Sequence, residues 1–323
     1  MKSKTRTTIK DIAKLAGVST QAVSLALRDA PDISVATKRK VQEIANQLNY
    51  HKNATASNLR LGSSRIIAIV YDELKNFYYS IMIDFIQSYL RDHGYSVLFF
   101  SYRYSFLTKE TYSQAISAGA AGIISFLEPD QKLSEYIQNY SLPLLVFGRR
   151  TEVNGVDCIY TDDLSGGKTV AKRFIEKGCK NPIYVTVPHN LVCSNDRLEG
   201  LKMGFNGQKI PVLNHGDKLK SLLIERLTDK NEPCDCIFCF NDMLAFQVIG
   251  ILQKVQIKNV LVVGYDDIQA QIEIPVCRLT TIGVDKELMV KNGMEILLSK
   301  INGKSVNKYS QCERVFLVEG ATG

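Results

Sequence analysis

The chain has 323 residues, of which 45% are hydrophobic and 23% are charged, and its formal net charge is +7. This length predicts two or three domains, and the apolar fraction is sufficient for buried cores, which argues against a disordered chain. The basic N-terminus is not followed by an apolar segment and no run of about 18 apolar residues occurs, so we expect a cytoplasmic protein without a membrane span.

The positive charge is concentrated near the N-terminus. Residues 1–65 contain 12 of the 40 Lys and Arg residues but only 4 of the 33 Asp and Glu residues, a net charge of +8. The other 258 residues carry 28 basic and 29 acidic side chains and are therefore close to neutral. Such a basic segment is typical of a domain that neutralises nucleic-acid phosphates.

Residues 9–27 predict two short amphipathic helices joined at Gly17, the arrangement of a helix-turn-helix that reads DNA. Thr8, with Asp11 three residues later, is the predicted cap of the first helix, and Ser19 caps the second. An apolar stripe on the second helix comprises Ala22, Val23, Ala26 and Leu27. The residues predicted to contact DNA are Ser19, Thr20, Gln21, Ser24, Leu25 and Arg28. Gln21 can bond adenine bidentately, and Leu25 can contact a thymine methyl group.

A third helix, capped by Ser34 and continuing through Leu48, is predicted to pack behind this pair. Two interpretations of its Lys38, Arg39 and Lys40 remain open, contact with the DNA backbone or a solvated charged face. Residues 49–62 are compatible with a helix that is too short to be stable alone in water, so we expect it to order only against a partner. A three-helix module for protein interaction is the alternative, which the segregation of charge disfavours.

The region resembles the DNA-binding part of LacI/GalR-type transcriptional regulators. The matching segments are Thr8-Ile-Lys-Asp-Ile-Ala13, Ala16-Gly-Val-Ser19, Val23-Ser-Leu-Ala-Leu27, Ile33-Ser-Val-Ala-Thr-Lys-Arg-Lys-Val41, Leu48-Asn-Tyr50 and Asn53-Ala-Thr-Ala-Ser-Asn-Leu59. The resemblance implies a hinge helix at 53–60, paired in the minor groove with its copy from a second subunit. Asn53, Ala56 and Leu59 would contact DNA there, with Leu59 wedged into a base step. Lys52 departs from the family's usual proline, and Leu25 from the arginine of several members.

From residue 65 onward apolar strands alternate with helical segments, the pattern of βα units that build parallel sheets. Strands are predicted at 66–71, 95–100, 122–126 and 142–147, and a second series at 183–187, 237–240 and 260–264. The predicted fold class is an all-α helix-turn-helix headpiece plus an α/β body of two parallel-sheet subdomains. A ligand crevice is expected at the carboxyl ends of the strands.

The body resembles the effector domain of the same family, which is similar to periplasmic sugar-binding proteins. The landmarks are Asp196-Arg-Leu-Glu-Gly200, Asn241-Asp-Met-Leu-Ala245, Val263-Gly-Tyr-Asp-Asp267 and Leu279-Thr-Thr-Ile282. The resemblance implies a DNA-binding domain at 1–50, a hinge helix and linker at 51–64, and an effector-binding and dimerisation domain at 65–323. Within the last, the N-subdomain covers about 65–161 and 286–314, and the C-subdomain about 162–285 and 315–323.

Polar side chains at these landmarks suit a polar small-molecule effector, with a carbohydrate as the leading expectation. Arg197 offers a fork of donors, Asp266 can accept from two hydroxyls, and Asn241 can do both. The other predicted effector-binding residues are Phe77 or Tyr78, as a stacking surface, and Arg149. A structural ion pair or core packing is the alternative for each. Because Lys75-Asn76-Phe77-Tyr78 replaces the usual Asn-Pro-Phe-Phe and Trp is absent, we expect a smaller or more polar pocket.

Enzymes and metal-binding proteins are less well supported. The sequence has no GxGxxG, Walker A or HExxH motif and its four histidines are dispersed, so we predict no catalytic activity and no cofactor. Cys234, Cys236 and Cys239 raise the question of a metal. A strand would place Cys236 and Cys239 on opposite faces, and no second CxxC pair supplies a fourth ligand, so no metal site is predicted.

Together these features predict a regulator, most simply a repressor, that acts as a homodimer on double-stranded operator DNA and has no membrane partner. Effector binding in the body is expected to modulate operator affinity. The alternative is a sugar-binding protein without a DNA role, which would need an export signal that this sequence does not display.

Overall fold

The computed structural model describes residues 7–50, 64–72, 75–102, 106–187, 191–229, 231, 233–273, 277–304 and 307–323. The predicted hinge residues Asn53, Ala56 and Leu59, and Lys52 beside them, lie outside the described residues. The chain divides into two units, Met1–Ser64 and Arg65–Gly323. Within the described segments, no helix combines the length and the apolar character needed to cross a membrane.

The first unit contains three helices in its described part, α1 (Ile9–Ala16), α2 (Thr20–Ala26) and α3 (Val35–Gln47). Its predicted caps are confirmed. The Thr8 N–H donates to the Asp11 carboxylate at 2.8 Å, and Ser19 Oγ accepts from the Ala22 N–H at 3.1 Å. Gly17 ends α1 at a φ of 68°, a conformation that glycine adopts without strain. The helices enclose a small core of Ile12, Ala13, Ala16, Val23, Ala26, Val41 and Ala45.

The second unit, the body, alternates strands and helices. In chain order these are β1 (Ile66–Tyr71), α4 (Phe77–Asp92), β2 (Ser96–Ser101), α5 (Lys109–Ser117), β3 (Gly122–Ser125), α6 (Leu133–Tyr140), β4 (Leu144–Phe147), β5 (Asp157–Thr161), α7 (Asp163–Glu176), β6 (Pro182–Thr186), α8 (Val192–Gly204), β7 (Val212–Asn214), α9 (Leu219–Leu227), β8 (Cys236–Cys239), α10 (Asp242–Lys254), β9 (Leu261–Tyr265), β10 (Thr280–Val284), α11 (Lys286–Ile301), β11 (Ser310–Glu313) and β12 (Val315–Val318). A short 3₁₀ turn, Ile268–Ala270, follows β9.

In the described part of the body, the strands form two six-stranded sheets. The first has the order β11-β5-β4-β3-β1-β2 and its strands are parallel. The second has the order β12-β10-β9-β8-β6-β7 and is parallel except for β12, which runs antiparallel to β10. The chain passes from the first sheet to the second after β5, returns to the first between β10 and β11, and crosses to the second again at Arg314, between β11 and β12.

Each sheet is covered by apolar side chains on both faces, as expected for parallel sheets. On β1, Ile67 and Ile69 belong to one apolar cluster, and Ala68 and Val70 belong to another. On β8, Cys236 and Cys239 likewise pack in clusters on different faces. The alternation of side chains along a strand accounts for this separation.

Helices α7 and α8 pack closely because glycines line their contact. A Cβ atom on Gly167 would collide with the carbonyl oxygen of Arg197, and one on Gly200 would collide with the carbonyl oxygen of Leu164. This close approach brings Arg197 of α8 beside Asp163, the first residue of α7.

Candidate DNA-binding surface and ligand cleft

The predicted DNA-contacting side of α2 faces solvent in the isolated headpiece. Ser19, Thr20, Gln21 and Arg28 are exposed and Ser24 and Leu25 are half-buried, whereas Val23 and Ala26 are buried in the core. Gln21 lies at the start of the helix, where residues of a recognition helix can reach base edges, and no hydrogen bond among the described residues uses its amide. The amphipathic pattern of α2 therefore separates a packing side from a side that is available to a ligand.

Several basic side chains of this unit already have partners. Arg28 lies back along its own helix, where its Nη2 donates to Ser24 Oγ at 2.8 Å and its Nε to the Ser24 carbonyl oxygen at 3.2 Å. Lys38 pairs with Asp29 at 2.8 Å, and Arg39 pairs with Glu43 at 2.9 Å. Lys40 is exposed, and the described residues offer it no ion pair.

Five of the six predicted effector-binding residues line one small cavity of about 50 Å³ in the body, namely Tyr78, Arg149, Arg197, Asn241 and Asp266. They come from segments that follow β1, β4, β6, β8 and β9, so the cavity lies at the carboxyl ends of strands of both sheets. Phe77 is the exception. It is 38% exposed and lines neither this cavity nor the larger one beside it.

Arg197 is held by a buried network. Its Nε donates to Asp163 Oδ1 at 2.8 Å, its Nη1 donates to the Phe240 carbonyl oxygen, and its guanidinium lies 3.5 Å from the centre of the Tyr265 ring. Burial alone would lower the pKa of Arg197, but Asp163 together with other nearby acidic groups, including Asp266, outweighs this effect, and the pKa is well above the ordinary value. Arg197 is therefore a fixed cation whose charge is balanced.

The second cation of the cavity is also paired. Arg149 Nη1 lies 3.4 Å from Glu128 Oε1, and both side chains are largely buried. Tyr78 and Tyr79, from the first turn of α4, lie in the same wall, and burial raises the pKa of both hydroxyls. At neutral pH these phenols are uncharged and can donate hydrogen bonds.

Asn241 caps α10 and faces the cavity. Its Oδ1 accepts from the Leu244 N–H at 2.9 Å. No hydrogen bond among the described residues uses its Nδ2, so the amide hydrogens remain for a ligand. The helix engages one lone pair of Oδ1 and leaves the second, so a ligand contact in which Asn241 both donates and accepts stays a prediction.

Among the described residues that line the small cavity, Asp266 is the one carboxylate. Its backbone has a φ of 107°, and its N–H donates to the Ile282 carbonyl oxygen at 2.8 Å. Burial raises the pKa of Asp266 to about 7, with Arg197 and Lys286 opposing the rise. Within the described part of the chain its carboxylate receives no hydrogen bond. Asp266 can thus accept from a ligand hydroxyl, or donate when it is protonated.

Asp242 is a buried carboxylate that holds the turn carrying Asp266 in place. It is 1% exposed, its Oδ1 accepts from Thr281 Oγ1 at 2.5 Å, and its Oδ2 accepts from the Ile268 N–H at 2.9 Å. These bonds tie the turn after β9 to α10 and β10. On the other side of the turn, Lys286 Nζ donates to the Asp267 carbonyl oxygen at 3.1 Å. The position of Asp266 is therefore set by buried polar contacts.

A larger cavity of about 650 Å³ adjoins the small one, with Arg149, Tyr79 and Asn241 in both walls. Much of its wall is apolar, including Phe106, Leu127, Val187, Leu191, Phe240 and Met243, of which Phe240 also lines the small cavity. The expectation of a smaller or more polar pocket therefore does not describe this chamber. Phe106 and Phe240 supply an aromatic wall. Phe240 ends the predicted strand at 237–240, but the sequence did not mark either ring as part of the ligand site.

Sequence reasoning also missed the partners of the two cations, Asp163 and Glu128, and the ring of Tyr79. The sequence does contain a signal for Asp163. The acidic pair Asp162 and Asp163 follows directly after the buried strand β5, and this pair was not assigned to the site. No signal in the sequence indicates that Glu128 meets Arg149, because the two residues are joined only by the parallel pairing of β3 and β4.

Comparisons with known proteins cover nearly the whole chain. Residues 8–53 match the family model described as bacterial regulatory proteins, lacI family. Residues 64–305 match the model described as periplasmic binding proteins and sugar binding domain of LacI family. Among curated relatives, an HTH-type transcriptional repressor PurR of Vibrio parahaemolyticus is 28% identical over 315 residues, covering 93% of this chain and 94% of the relative. Another from Vibrio atlanticus is 27% identical with the same coverage.

Solved structures share the fold. A lac repressor dimer bound to operator and the anti-inducer ONPF superposes with a TM-score of 0.83 at 22% identity, over 98% of this chain and 99% of that one. A complex of the transcriptional regulator CelR with cellobiose gives 0.66 at 21% identity, over 98% and 100%. A LacI-type regulator of Alkaliphilus metalliredigens complexed with D-xylulofuranose gives 0.69 at 22% identity, over 80% and 99%.

Proposed function

Because the chain belongs to the LacI family of bacterial regulatory proteins, we propose that it represses transcription by binding an operator through its headpiece, under control of an effector bound in the body. The observation that carries this proposal is the pairing, in one chain, of a basic headpiece with an exposed α2 face and a body whose sheets enclose a polar cavity. The curated relatives described above are themselves transcriptional repressors.

On the DNA side, we propose that Thr20, Gln21, Ser24 and Leu25 read base edges while Ser19 and Arg28 contact phosphates or bases. Arg28 would have to leave Ser24 to reach DNA, which costs two intramolecular hydrogen bonds and gains a charge-assisted contact with the DNA. Asn53, Ala56 and Leu59 are proposed to form the hinge contacts in the minor groove.

We propose a homodimer as the DNA-binding form. A helix-turn-helix unit reads one half-site, and two-fold symmetry supplies the second. In the body, β2 is an edge strand whose Leu98 and Phe99 are 37% and 43% exposed, a surface suited to burial against a second copy. The proposed domains are a headpiece at 1–50, a hinge and linker at 51–64, and a body at 65–323, with subdomains at 65–161 plus 286–314 and at 162–285 plus 315–323.

For the effector, we propose an uncharged polyhydroxylated molecule, with a carbohydrate as the leading candidate. Arg197 and Arg149 are already neutralised by Asp163 and Glu128, so an anionic ligand would gain little net Coulomb energy from them. What remains open toward the cavity is a set of neutral donors, including Tyr78 and Asn241 Nδ2, and the carboxyl group of Asp266. The apolar chamber beside it suits the less polar faces of a larger ligand.

The proposed mechanism couples the two sites. An effector that bridges residues of both sheets favours one relative arrangement of the subdomains, which changes the spacing of the two hinges and hence operator affinity, by a coupling of about 1–3 kcal/mol. We propose no catalytic activity for the cleft, and a location in the cytoplasm, where a bacterial DNA-binding protein meets its operator.

The test is a gel-shift selection with fragments of the source genome, followed by sequencing of the retained DNA. A repressor should retain fragments that share a two-fold symmetric site and release them as salt rises. Equal retention of all fragments would contradict the proposal and favour a ligand-binding protein without a DNA role. Purified protein with the selected fragment then allows metabolites to be screened for release or enhancement of binding.

A further inference from the structure

Two thiols and a carboxylate meet at the amino-terminal end of β8, the end of this strand opposite the ligand cleft. Cys179 follows the end of α7, Asp235 precedes β8, and Cys236 is the first residue of β8. Their ligand atoms, the two Sγ atoms and an Asp235 carboxylate oxygen, all lie within 4.8 Å of one another. We call these three residues the thiol cluster. The cleft begins at the other end of β8, where Phe240 and Asn241 follow Cys239.

The thiol cluster is held together by contacts between the two segments that carry it. The N–H groups of Lys180 and Asn181 donate to the two oxygens of Asp235 at 2.7 and 2.9 Å. Asn181 Nδ2 also donates to the Pro233 carbonyl oxygen at 3.1 Å. Each carboxylate oxygen keeps a further lone pair, so these bonds orient the group without exhausting it. Such support from neighbouring groups is what fixes ligands in a metal site.

We propose that the thiol cluster binds one divalent cation of the zinc class, with Cys179, Cys236 and Asp235 as ligands and water in the fourth position. Thiolates select soft and borderline cations over magnesium and calcium, and a carboxylate oxygen is an accepted third ligand for zinc. The two thiols lose their protons to the solvent when the cation binds. The two thiolates and the carboxylate then carry three negative charges against the two positive charges of the cation.

The distances are compatible with such a site. A tetrahedral zinc ion with bonds of about 2.3 Å to sulfur requires the two sulfur atoms to lie about 4 Å apart. The three ligand atoms lie within 4.8 Å of one another, so side-chain rotations that move them by about 1 Å would complete the geometry. Cys236 is buried whereas Cys179 and Asp235 are half-buried, so the cation has a path from solvent.

This site differs from the one that the sequence raised and set aside. Cys239 packs on the other face of the sheet, and the Cys234 thiol donates to the Cys236 carbonyl oxygen at 3.3 Å. The missing ligands come from Cys179, which is more than fifty positions away in the chain, and from Asp235, which lies between two cysteines. No local pattern marks either residue as a ligand, because the two meet only where the α7–β6 connection lies beside the start of β8.

The experiment uses the full chain, reduced and freed of metal by a chelator that is then removed. Titration with Co²⁺ should give a thiolate-to-cobalt charge-transfer band that saturates at one equivalent and disappears when Zn²⁺ is added. Cys179→Ser should weaken Co²⁺ binding by more than about 10-fold, since even the loss of a supporting residue costs a metal site about 10–100-fold. Cys312→Ser, an exposed cysteine on β11, is the matched control and should leave the titration unchanged. Absence of the band, or a band that Cys179→Ser leaves intact, would overturn the proposal.

A second measurement needs no substitution and is therefore insensitive to misfolding of a variant. The unmodified protein is treated with iodoacetamide with and without Zn²⁺, and alkylation of each cysteine is followed by peptide mass spectrometry. Zinc should slow alkylation of Cys179 while the exposed Cys277 and Cys312 react at the same rate. Unchanged reactivity of Cys179, or equal protection of all three cysteines, would contradict a site at the thiol cluster.

Discussion

Arg197 serves the structure as well as the proposed ligand site. Its Nε is bonded to Asp163, and both side chains are almost fully buried. Arg197→Ala is expected to lower the free energy of unfolding by about 3–5 kcal/mol, because Asp163 would stay buried without its partner. Urea unfolding followed by circular dichroism measures the loss. The double variant Asp163→Ala/Arg197→Ala should recover part of it, and strictly additive losses would show that the two residues are not coupled. A loss of effector response in Arg197→Ala must be compared with this loss of stability, because an unfolded body would also fail to respond.

We expect the free energy of unfolding to depend on pH because of Asp266. Burial raises the pKa of Asp266 from 3.8 to about 7. A carboxyl group with a raised pKa binds more protons in the folded than in the unfolded protein, so its stabilising contribution is complete below about pH 4 and is lost as the pH rises to about 7. Asp266→Asn should remove a fall in the free energy of unfolding on the order of 2–4 kcal/mol across this window. Urea midpoints measured at successive pH values test this, and parallel profiles for both proteins would contradict it.

At the scale of elements, the crossing of α7 and α8 depends on the absence of side chains at their contact. Gly200→Ala is expected to destabilise the body by about 1–3 kcal/mol or more, because the new Cβ would collide with the Leu164 backbone and push the helices apart. Gly250, inside α10, is the matched control. A Cβ there meets nothing within 4 Å, so Gly250→Ala should stabilise the protein by about 0.5–1 kcal/mol. Thermal melts that shift in the same direction for both variants would refute the packing argument.

A substitution on the exposed side of α2 is expected to change DNA selectivity. If Gln21 bonds a base edge, Gln21→Ala should reduce discrimination between the selected operator and unrelated DNA by about 1–3 kcal/mol, while affinity for unrelated DNA hardly changes. Gln42→Ala on α3 is the control, because Gln42 bonds Asn46 on the same helix. Competition gel shifts give both affinities. Equal loss on operator and unrelated DNA would assign Gln21 to the backbone.

Elements with strong periodicity could be predicted from the sequence, and elements fixed by distant contacts could not. The predicted strand at 66–71 is β1, because a continuous apolar run has few alternatives in a parallel sheet. By contrast, β5 begins at Asp157, a charged residue that is 1% exposed. It is tolerated there because Lys300 lies 2.6 Å away and the Tyr309 N–H donates to it at 2.9 Å. Both partners lie more than a hundred positions along the chain, so no local pattern indicates this strand.

The candidate site follows the same rule. Landmark residues at strand ends, such as Asn241 and Asp266, could be predicted because parallel strands bring their carboxyl ends together. Phe77 or Tyr78 was predicted as the stacking ring, whereas the structure places Tyr78 and Tyr79 in the cavity wall. The helical phase of α4 is set by its cap, Asn76, whose Oδ1 accepts from the Tyr78 N–H at 3.1 Å. The sequence located the turn but not the side from which the rings enter the cavity.

At the scale of the whole molecule, charge is divided between the two units. The first 65 residues carry a net charge of +8, and the remainder is nearly neutral. If the dimer neutralises about 6–10 phosphates, operator affinity should fall by about 10³–10⁵ between about 50 and 200 mM salt. Fluorescence anisotropy with a labelled operator measures this slope. A flat curve would contradict binding through the basic headpiece.

The same titration decides between the two interpretations of Lys40. Because Lys40 is exposed and the described residues offer it no ion pair, its charge is available to a phosphate. Lys40→Gln should then reduce the salt slope by about one counterion per subunit. Lys220→Gln, an exposed lysine on α9 of the body, removes the same net charge away from the headpiece and should leave the slope unchanged. If both variants behave alike, only the overall charge of the protein matters, and Lys40 belongs to a solvated face.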